Sequence, residues 1–150
     1  FVGDLKNNRT VHSLIKLVNR YYDNIKIYFL AIDGLEFDDS VIVKRANFKH
    51  IKTYDDCISF VDVVYMTRIQ LERLDQTDPN IIAKYKDITM TPEVMTKMKN
   101  ISIVLHPLPR NYEINPICDI DHRAKYFQNV ENGVYVRMGL LNYCLNTFHN

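Results

Sequence analysis

Short runs of β-branched and aromatic residues alternate along this chain with segments whose apolar residues recur every three or four positions. That alternation limits the possible folds more than any other feature. The apolar runs at residues 25–30, 63–66 and 101–105 predict buried strands. In residues 10–22, Val11, Leu14, Ile15, Val18 and Tyr21 fall on one face of a predicted helix. Further helices are predicted over 39–46, over 55–60 and after Thr91-Pro92, where a Thr cap precedes Pro at the first helical position. The last helix starts near Tyr126 or Gly133 and runs to about Asn146, with Val134, Met138, Leu141 and Leu145 in register. Parallel strands need crossover connections, so the pattern predicts an α/β domain. It would have three layers, a mainly parallel sheet with helices on both faces, and a Rossmann-like arrangement spanning 1–150 as a single domain.

Composition narrows the partners. A chain of 150 residues that is 47% hydrophobic and 25% charged can bury a core and has the size of one domain. The 19 basic and 18 acidic residues leave a net charge of +1, which argues against nucleic acid and anionic membranes as partners. No apolar run approaches the roughly 18 residues of a membrane span, and no secretory layout opens the chain. A soluble, cytoplasmic protein is expected. Cys57, Cys118 and Cys144 are widely separated, so reduced structural cysteines are expected and no metal site. The opening Phe1-Val2-Gly3-Asp4 reads as a strand running into a turn, with an upstream segment expected before it.

In parallel α/β sheets, ligands sit beyond the carboxyl ends of the strands. Three loops there carry an arginine each. The first, Asp4 to Thr10, brings Arg9 to a helix start, where cation and free N–H groups suit an anion; a solvated surface arginine is the alternative. With no G-x-G-x-x-G or G-K-[ST], a dinucleotide or P-loop phosphate is not expected. The second, Thr67 to Arg73, offers Arg68 and Gln70 two apart, a fork and an amide aimed the same way if the strand continues. Its alternative is an ion network with Glu72 and Asp75. The third, His106-Pro107-Leu108-Pro109-Arg110, removes two backbone donors and keeps every carbonyl, presenting acceptors to a ligand rich in N–H. Its alternative is a rigid turn with His106 packed beneath. Arg137 and His122 read as structural, and no catalytic nucleophile, cofactor or metal ligand is assigned.

Five strings in this order resemble aspartate carbamoyltransferases over essentially the whole chain. They are Val2-Gly3-Asp4-Leu5-Lys6 with Arg9-Thr10-Val11-His12-Ser13-Leu14; Tyr65-Met66-Thr67-Arg68-Ile69-Gln70 with Glu72-Arg73-Leu74; His106-Pro107-Leu108-Pro109-Arg110 with Glu113-Ile114; Tyr126-Phe127-Gln128; and Asn132-Gly133-Val134-Tyr135-Val136-Arg137 with Leu140-Leu141. The resemblance implies that Arg9 and Arg68 bind the two carboxylates of L-aspartate and that Gln70 helps place it. It implies that the Leu108 and Pro109 carbonyls face the carbamoyl amino group and the attacking amine. It further implies carbamoyl transfer from carbamoyl phosphate to L-aspartate in pyrimidine synthesis. The phosphate-seating loop would belong to an N-terminal domain absent from these 150 residues, the intact enzyme would be a homotrimer, and this chain alone would be inactive. A binding or assembly module on the same fold is the competing reading. Pro107, where ornithine carbamoyltransferases resemble His-Cys-Leu-Pro, points to aspartate. Asn8 and Tyr112 depart from the family pattern; Asn tolerates a left-handed backbone better than most residues, so the turn at Asn8 is expected to survive. If the last helix packs on the absent domain, some of Val134, Met138 and Leu141 are expected to be exposed.

Overall fold

The computed structural model describes residues 1–42, 47–69 and 85–147. Its strands are β1 (Val2–Gly3), β2 (Lys26–Ala31), β3 (Asn47–Ile51), β4 (Val63–Tyr65) and β5 (Ile103–Leu105), and its helices α1 (Arg9–Tyr21), α2 (Pro92–Thr96) and α3 (Tyr126–Thr147). Every named pairing is parallel: β1 with β2, β2 with β3, and β4 with β5. A parallel bridge between Val2 and Met66 joins the two groups. The order across the described residues is therefore β3-β2-β1-β4-β5, and Ala124 bridges to Val104 beyond β5. The chain winds outward from β1 to β3, then returns to place β4 on the other side of β1. Strand order reverses between β1 and β4, and a crevice opens at such a point at the carboxyl ends of the strands.

The sheet separates two apolar layers. Along β2, Ile27 and Phe29 join α1 residues Val11 and Ile15 and also Leu5, Phe37 and Ile42 on one face. Leu30 points to the opposite layer with Val2, Val64, Met66 and Val104, where Met95 of α2 and Tyr126 of α3 pack. This is the three-layer α/β arrangement that the alternating pattern predicts, since a strand buried on both faces needs a cover on each.

Several details differ from expectation. On α1, Tyr21 is exposed and Asn19 is buried. The predicted helix over 39–46 is a 3₁₀ turn at Asp39–Val41, with residues 43–46 outside the described residues. The predicted helix over 55–60 is a 3₁₀ turn at Tyr54–Asp56. Cys57 ends it by leaving helical backbone at φ −150°. Strand β3 was not expected from its polar sequence. It lies at the edge of the described sheet with Asn47, Lys49 and His50 exposed, where apolar alternation is not required. Asn132-Gly133 does not break the last helix, which is continuous over Tyr126–Thr147. The cap at Thr91 is as expected, accepting from the Val94 N–H at 3.4 Å with Pro92 first in the helix.

Helix α3 is unlike the others. Only Tyr126 is buried along it, and Val134, Met138 and Leu141 are 53%, 60% and 64% exposed. The exposure expected of Val134, Met138 and Leu141 is thus found among the described residues. No described helix is long and apolar enough to cross a membrane.

Candidate functional site

The three arginine-bearing loops leave adjoining strands. The Thr67 N–H and hydroxyl both donate to the Val2 carbonyl, at 2.8 and 2.9 Å, and the Met66 N–H donates to the Leu105 carbonyl at 2.8 Å. These bonds lock the carboxyl ends of β1, β4 and β5 side by side. Gly3 makes the approach possible. Its φ is +118°, and a Cβ there would lie 2.5 Å from the Thr67 carbonyl oxygen, so only glycine fits both backbone and space.

After β1 the chain turns around Asp4, which is buried. Its carboxylate accepts from the Asn7 N–H at 2.9 Å and from the Asn7 side-chain amide at 3.1 Å. Asn8 then caps α1, its side-chain oxygen accepting from the N–H groups of Thr10 and Val11. Asn8 has φ −84°, so its tolerance of left-handed backbone is not drawn on; the residue serves as an N-cap, where Asn is among the best choices. His12 Nε2 donates to the Leu5 carbonyl at 2.9 Å and anchors the turn to the helix. This construction sets Arg9 at the first position of α1, exposed to solvent.

The second loop places Arg68 half-buried, two residues after Met66, with Ile69 buried behind it. Gln70, with the remainder of that loop, lies outside the described residues. Leu108 is half-buried and Pro109 exposed in the third loop, joined by a cis peptide bond.

Beneath the third loop lies a buried polar network. The Leu108 N–H donates to His106 Nδ1 at 2.8 Å. A backbone N–H can only donate, so Nδ1 is the acceptor and the ring proton sits on Nε2, which donates to Glu113 Oε1 at 2.9 Å. The other carboxylate oxygen accepts from the Tyr85 hydroxyl at 2.6 Å, and the Asn111 N–H reaches both oxygens at 3.1 Å. Burial pushes the Glu113 carboxyl up, but hydrogen bonds from His106, Tyr85 and the Asn111 backbone outweigh it and hold the group below the usual carboxylate range. Burial, then the bond to Glu113, raises the Tyr85 phenol. His106 is thus packed beneath a turn, and it also carries two directed bonds.

Arg110, the third loop's arginine, turns away to pair with Asp119, 2.6 Å from Nη2 to Oδ2, and it lies over the Tyr126 and Phe127 rings. Tyr126 also donates to Asp119. The guanidinium and the phenol together hold Asp119 below the ordinary carboxylate range. Arg110 is therefore committed to docking the start of α3. Arg137 donates to the Gly133 carbonyl and His122 to the Asn100 carbonyl, consistent with the structural readings of both. Cys57 and Cys118 are buried free thiols, whereas Cys144 is exposed on α3 and is not part of any core.

A cavity of about 550 Å³ opens elsewhere. It runs along the strands, from Ile25 and Val63 at the starts of β2 and β4 to Leu30, Tyr65 and Leu105 near the ends of β2, β4 and β5. Arg9, Arg68, Leu108 and Pro109 are all absent from its lining. Its walls are mostly apolar. No cluster of metal-ligating side chains occurs among the described residues.

Sequence reasoning did not find Asp4 as the organiser of the first turn, nor Glu113 and Tyr85 as partners of His106. The Asp4-x-x-Asn7 spacing was a usable signal for the first. Nothing local marked the second, because Tyr85 lies 28 residues from Glu113.

Comparison with known proteins agrees with this layout. A family model described as "Aspartate/ornithine carbamoyltransferase, Asp/Orn binding domain" matches residues 1–144. The aspartate carbamoyltransferase catalytic subunit of Clostridium acetobutylicum is 43% identical over 144 residues, covering 93% of this chain and 46% of that one. Aspartate transcarbamoylase from Trypanosoma cruzi in complex with carbamoyl phosphate superimposes with a TM-score of 0.85 at 35% identity, over 93% of this chain and 47% of that chain. The same enzyme in complex with carbamoyl phosphate and aspartate gives a TM-score of 0.80 at 33% identity, over 93% and 46%. The chain thus spans about half the length of these relatives. With parallel strands, loop order and a family model agreeing over nearly every residue, the chain belongs to the aspartate/ornithine carbamoyltransferase family, in the part described as the Asp/Orn binding domain.

Proposed function

We propose that this chain is the aspartate-binding half of an aspartate carbamoyltransferase. The observation that carries the reading is the locking of β1, β4 and β5 at their carboxyl ends, from which the Arg9, Arg68 and Leu108-Pro109 loops all depart. Two arginines suit the two carboxylates of L-aspartate, each as a planar fork able to make parallel bonds. Gln70 would add an amide contact. The relatives named for carbamoyl phosphate and aspartate complexes support both small molecules as substrates.

In this reading the aspartate amine attacks the carbonyl carbon of carbamoyl phosphate, forming the new C–N bond as the C–O bond to phosphate breaks. N-carbamoyl-L-aspartate and phosphate are released, and the amine's proton passes to the departing phosphate. The chain's own share is positioning. Arg9 and Arg68 fix the nucleophile by its carboxylates, and the Leu108 and Pro109 carbonyls accept from the carbamoyl amino group and the attacking amine. No residue of this half acts as nucleophile or general base, and no cofactor or metal enters the step. An N-terminal domain would supply the phosphate-binding groups, residues 1–150 acting as the aspartate-binding domain. The whole enzyme would be a cytoplasmic homotrimer of pyrimidine synthesis, and the isolated half would be inactive.

The test is carbamoyl transfer from labelled carbamoyl phosphate by the full-length protein, with L-aspartate and L-ornithine offered separately. Transfer to aspartate alone, lowered by roughly 30-fold or more in kcat/KM by Arg68→Ala, is expected for loss of a charge-paired contact worth about 2–5 kcal/mol. Transfer to neither amine by a folded full-length protein would leave a binding module on this fold.

A further inference from the structure

Among the buried groups that the proposed reaction leaves unused are His106, Glu113 and Tyr85, which are 0%, 1% and 5% exposed. Such groups are costly to bury, and each is hydrogen-bonded to another member of the set. What they hold is unusual. Leu108 has φ +52° and is the one non-glycine residue with positive φ among those described. A left-handed backbone is strained for a residue such as Leu and persists where the surroundings over-determine it. Here His106 supplies the restraint directly, because its Nδ1 accepts the Leu108 N–H at 2.8 Å.

The restraint is passed to the body of the domain. Glu113 fixes the far side of the imidazole and, through the Asn111 N–H, the far end of the same loop. The Glu113 backbone carbonyl accepts from the Met90 N–H at 2.9 Å, and the adjacent Ile114 bridges to Met90. Tyr85 closes the set from a separate segment by donating to the carboxylate. One carboxylate thereby ties both ends of the loop to the core.

We propose that His106, Glu113 and Tyr85 are positioning residues that hold Leu108 in its left-handed conformation and so aim the Leu108 and Pro109 carbonyls at the reacting nitrogens. None of the three touches substrate. The inference rests on the role given to that loop above, and it predicts which arm of the imidazole matters. The Nδ1 arm sets the Leu108 backbone, whereas the Nε2 arm only holds the ring.

Two amide substitutions separate the arms in the full-length protein. Asn at position 106 can place its oxygen near the Nδ1 position and still accept from Leu108. Gln at 106 can place its amide near Nε2 and still donate to Glu113, but it leaves Leu108 without its acceptor. His106→Gln is expected to lower kcat by about 10- to 100-fold, the scale on which small misplacements of reacting groups act, with KM for L-aspartate within about threefold. His106→Asn should regain most of that loss. Tyr85→Phe, a smaller change suited to the case where His106→Gln does not fold, should lower kcat by about 3- to 10-fold with KM for L-aspartate again nearly unchanged.

The inference is overturned if folded His106→Gln keeps wild-type kcat. It is equally overturned if His106→Asn and His106→Gln lose activity in step with their melting temperatures, or if Tyr85→Phe leaves kcat unchanged where His106→Gln fails to fold. Failure of the underlying reading looks different: the wild-type protein would not transfer carbamoyl to aspartate, or Arg68→Ala would leave kcat/KM for aspartate untouched. In that event both fall.

Discussion

The loops after β1 and after β5 reach the same edge of the sheet by opposite constructions. The first ends in an exposed side chain, Arg9, carried on the first turn of a helix and set by short local contacts at Asp4, Asn7 and Asn8. The second offers backbone carbonyls, and its shape is set from below by His106, Glu113 and Tyr85, all buried. A flexible guanidinium can find a carboxylate from an approximate starting point, because its long side chain completes the fit. A carbonyl cannot move without its peptide plane, so the loop that presents it needs a rigid foundation. The first loop is shaped mainly by contacts between near neighbours, with the Leu5 and Lys6 N–H groups also donating to the Leu35 carbonyl, whereas the second rests on a buried set that includes Tyr85, 28 residues from Glu113.

Changes at these supports test that contrast, and the largest effect is expected where the ends of β1 and β4 meet. Gly3→Ala places a Cβ against the Thr67 carbonyl at a φ of +118°, and should destabilise the full-length protein by roughly 2–5 kcal/mol from combined strain and clash; a chemical-denaturation midpoint reads this. Glu113→Ala strands the His106 Nε2–H, the Tyr85 hydroxyl and the Asn111 N–H together. Its expected cost is about 2–4 kcal/mol, since each buried unpaired donor costs about 1–3 kcal/mol and some will find water. Asn8→Ala removes only a helix cap and should cost about 1 kcal/mol, measurable as a small shift in melting temperature. If Asn8→Ala cost as much as Glu113→Ala, the contrast between local and buried support would be lost.

Acid sharpens the same comparison. The Glu113 carboxyl is held below its usual range in the folded protein, so the stability it contributes is present above its unfolded pKa, roughly 4.3 for a glutamate. That contribution is lost as pH falls through the lower folded value. Denaturation midpoints followed from neutral pH downward should show wild type losing its advantage over Glu113→Gln in that acid window. A difference between the two that is independent of pH would contradict the assignment. The smallest effect belongs to α3. Leu141→Glu, on a side chain 64% exposed, should change the stability of residues 1–150 by no more than about 0.5 kcal/mol, read as a nearly unchanged denaturation midpoint.

How much of this was legible in the sequence follows the same division. Strands β2, β4 and β5 and helices α1 and α3 carry apolar periodicity, and Thr91-Pro92 marks the start of α2, so all could be read before the structure. The loops that carry Arg9, Arg68, Leu108 and Pro109 follow from their places after strands, whereas the roles expected of those residues came from the resemblance. Strand β3 could not be read, because an edge strand with Asn47, Lys49 and His50 exposed has no apolar alternation to betray it. Glu113 and Tyr85 could not be read either, since their link is made by folding and has no spacing rule. The periodicity of α3 was clear and predicted the helix, and Val134, Met138 and Leu141 along it are exposed among the described residues.

The central claim is that the arginines grip the carboxylates of aspartate, and it is tested most directly by a cycle of substitutions on both partners. Initial rates of the full-length protein, Arg9→Ala and Arg68→Ala would be measured with L-aspartate and with L-asparagine, which exchanges the side-chain carboxylate for an amide. The account predicts that one of the two arginine variants largely loses the preference for aspartate over asparagine, because the cation that made the distinction is gone. An undiminished preference in both variants would mean that neither arginine holds that carboxylate, and the aspartate site would have to be sought elsewhere.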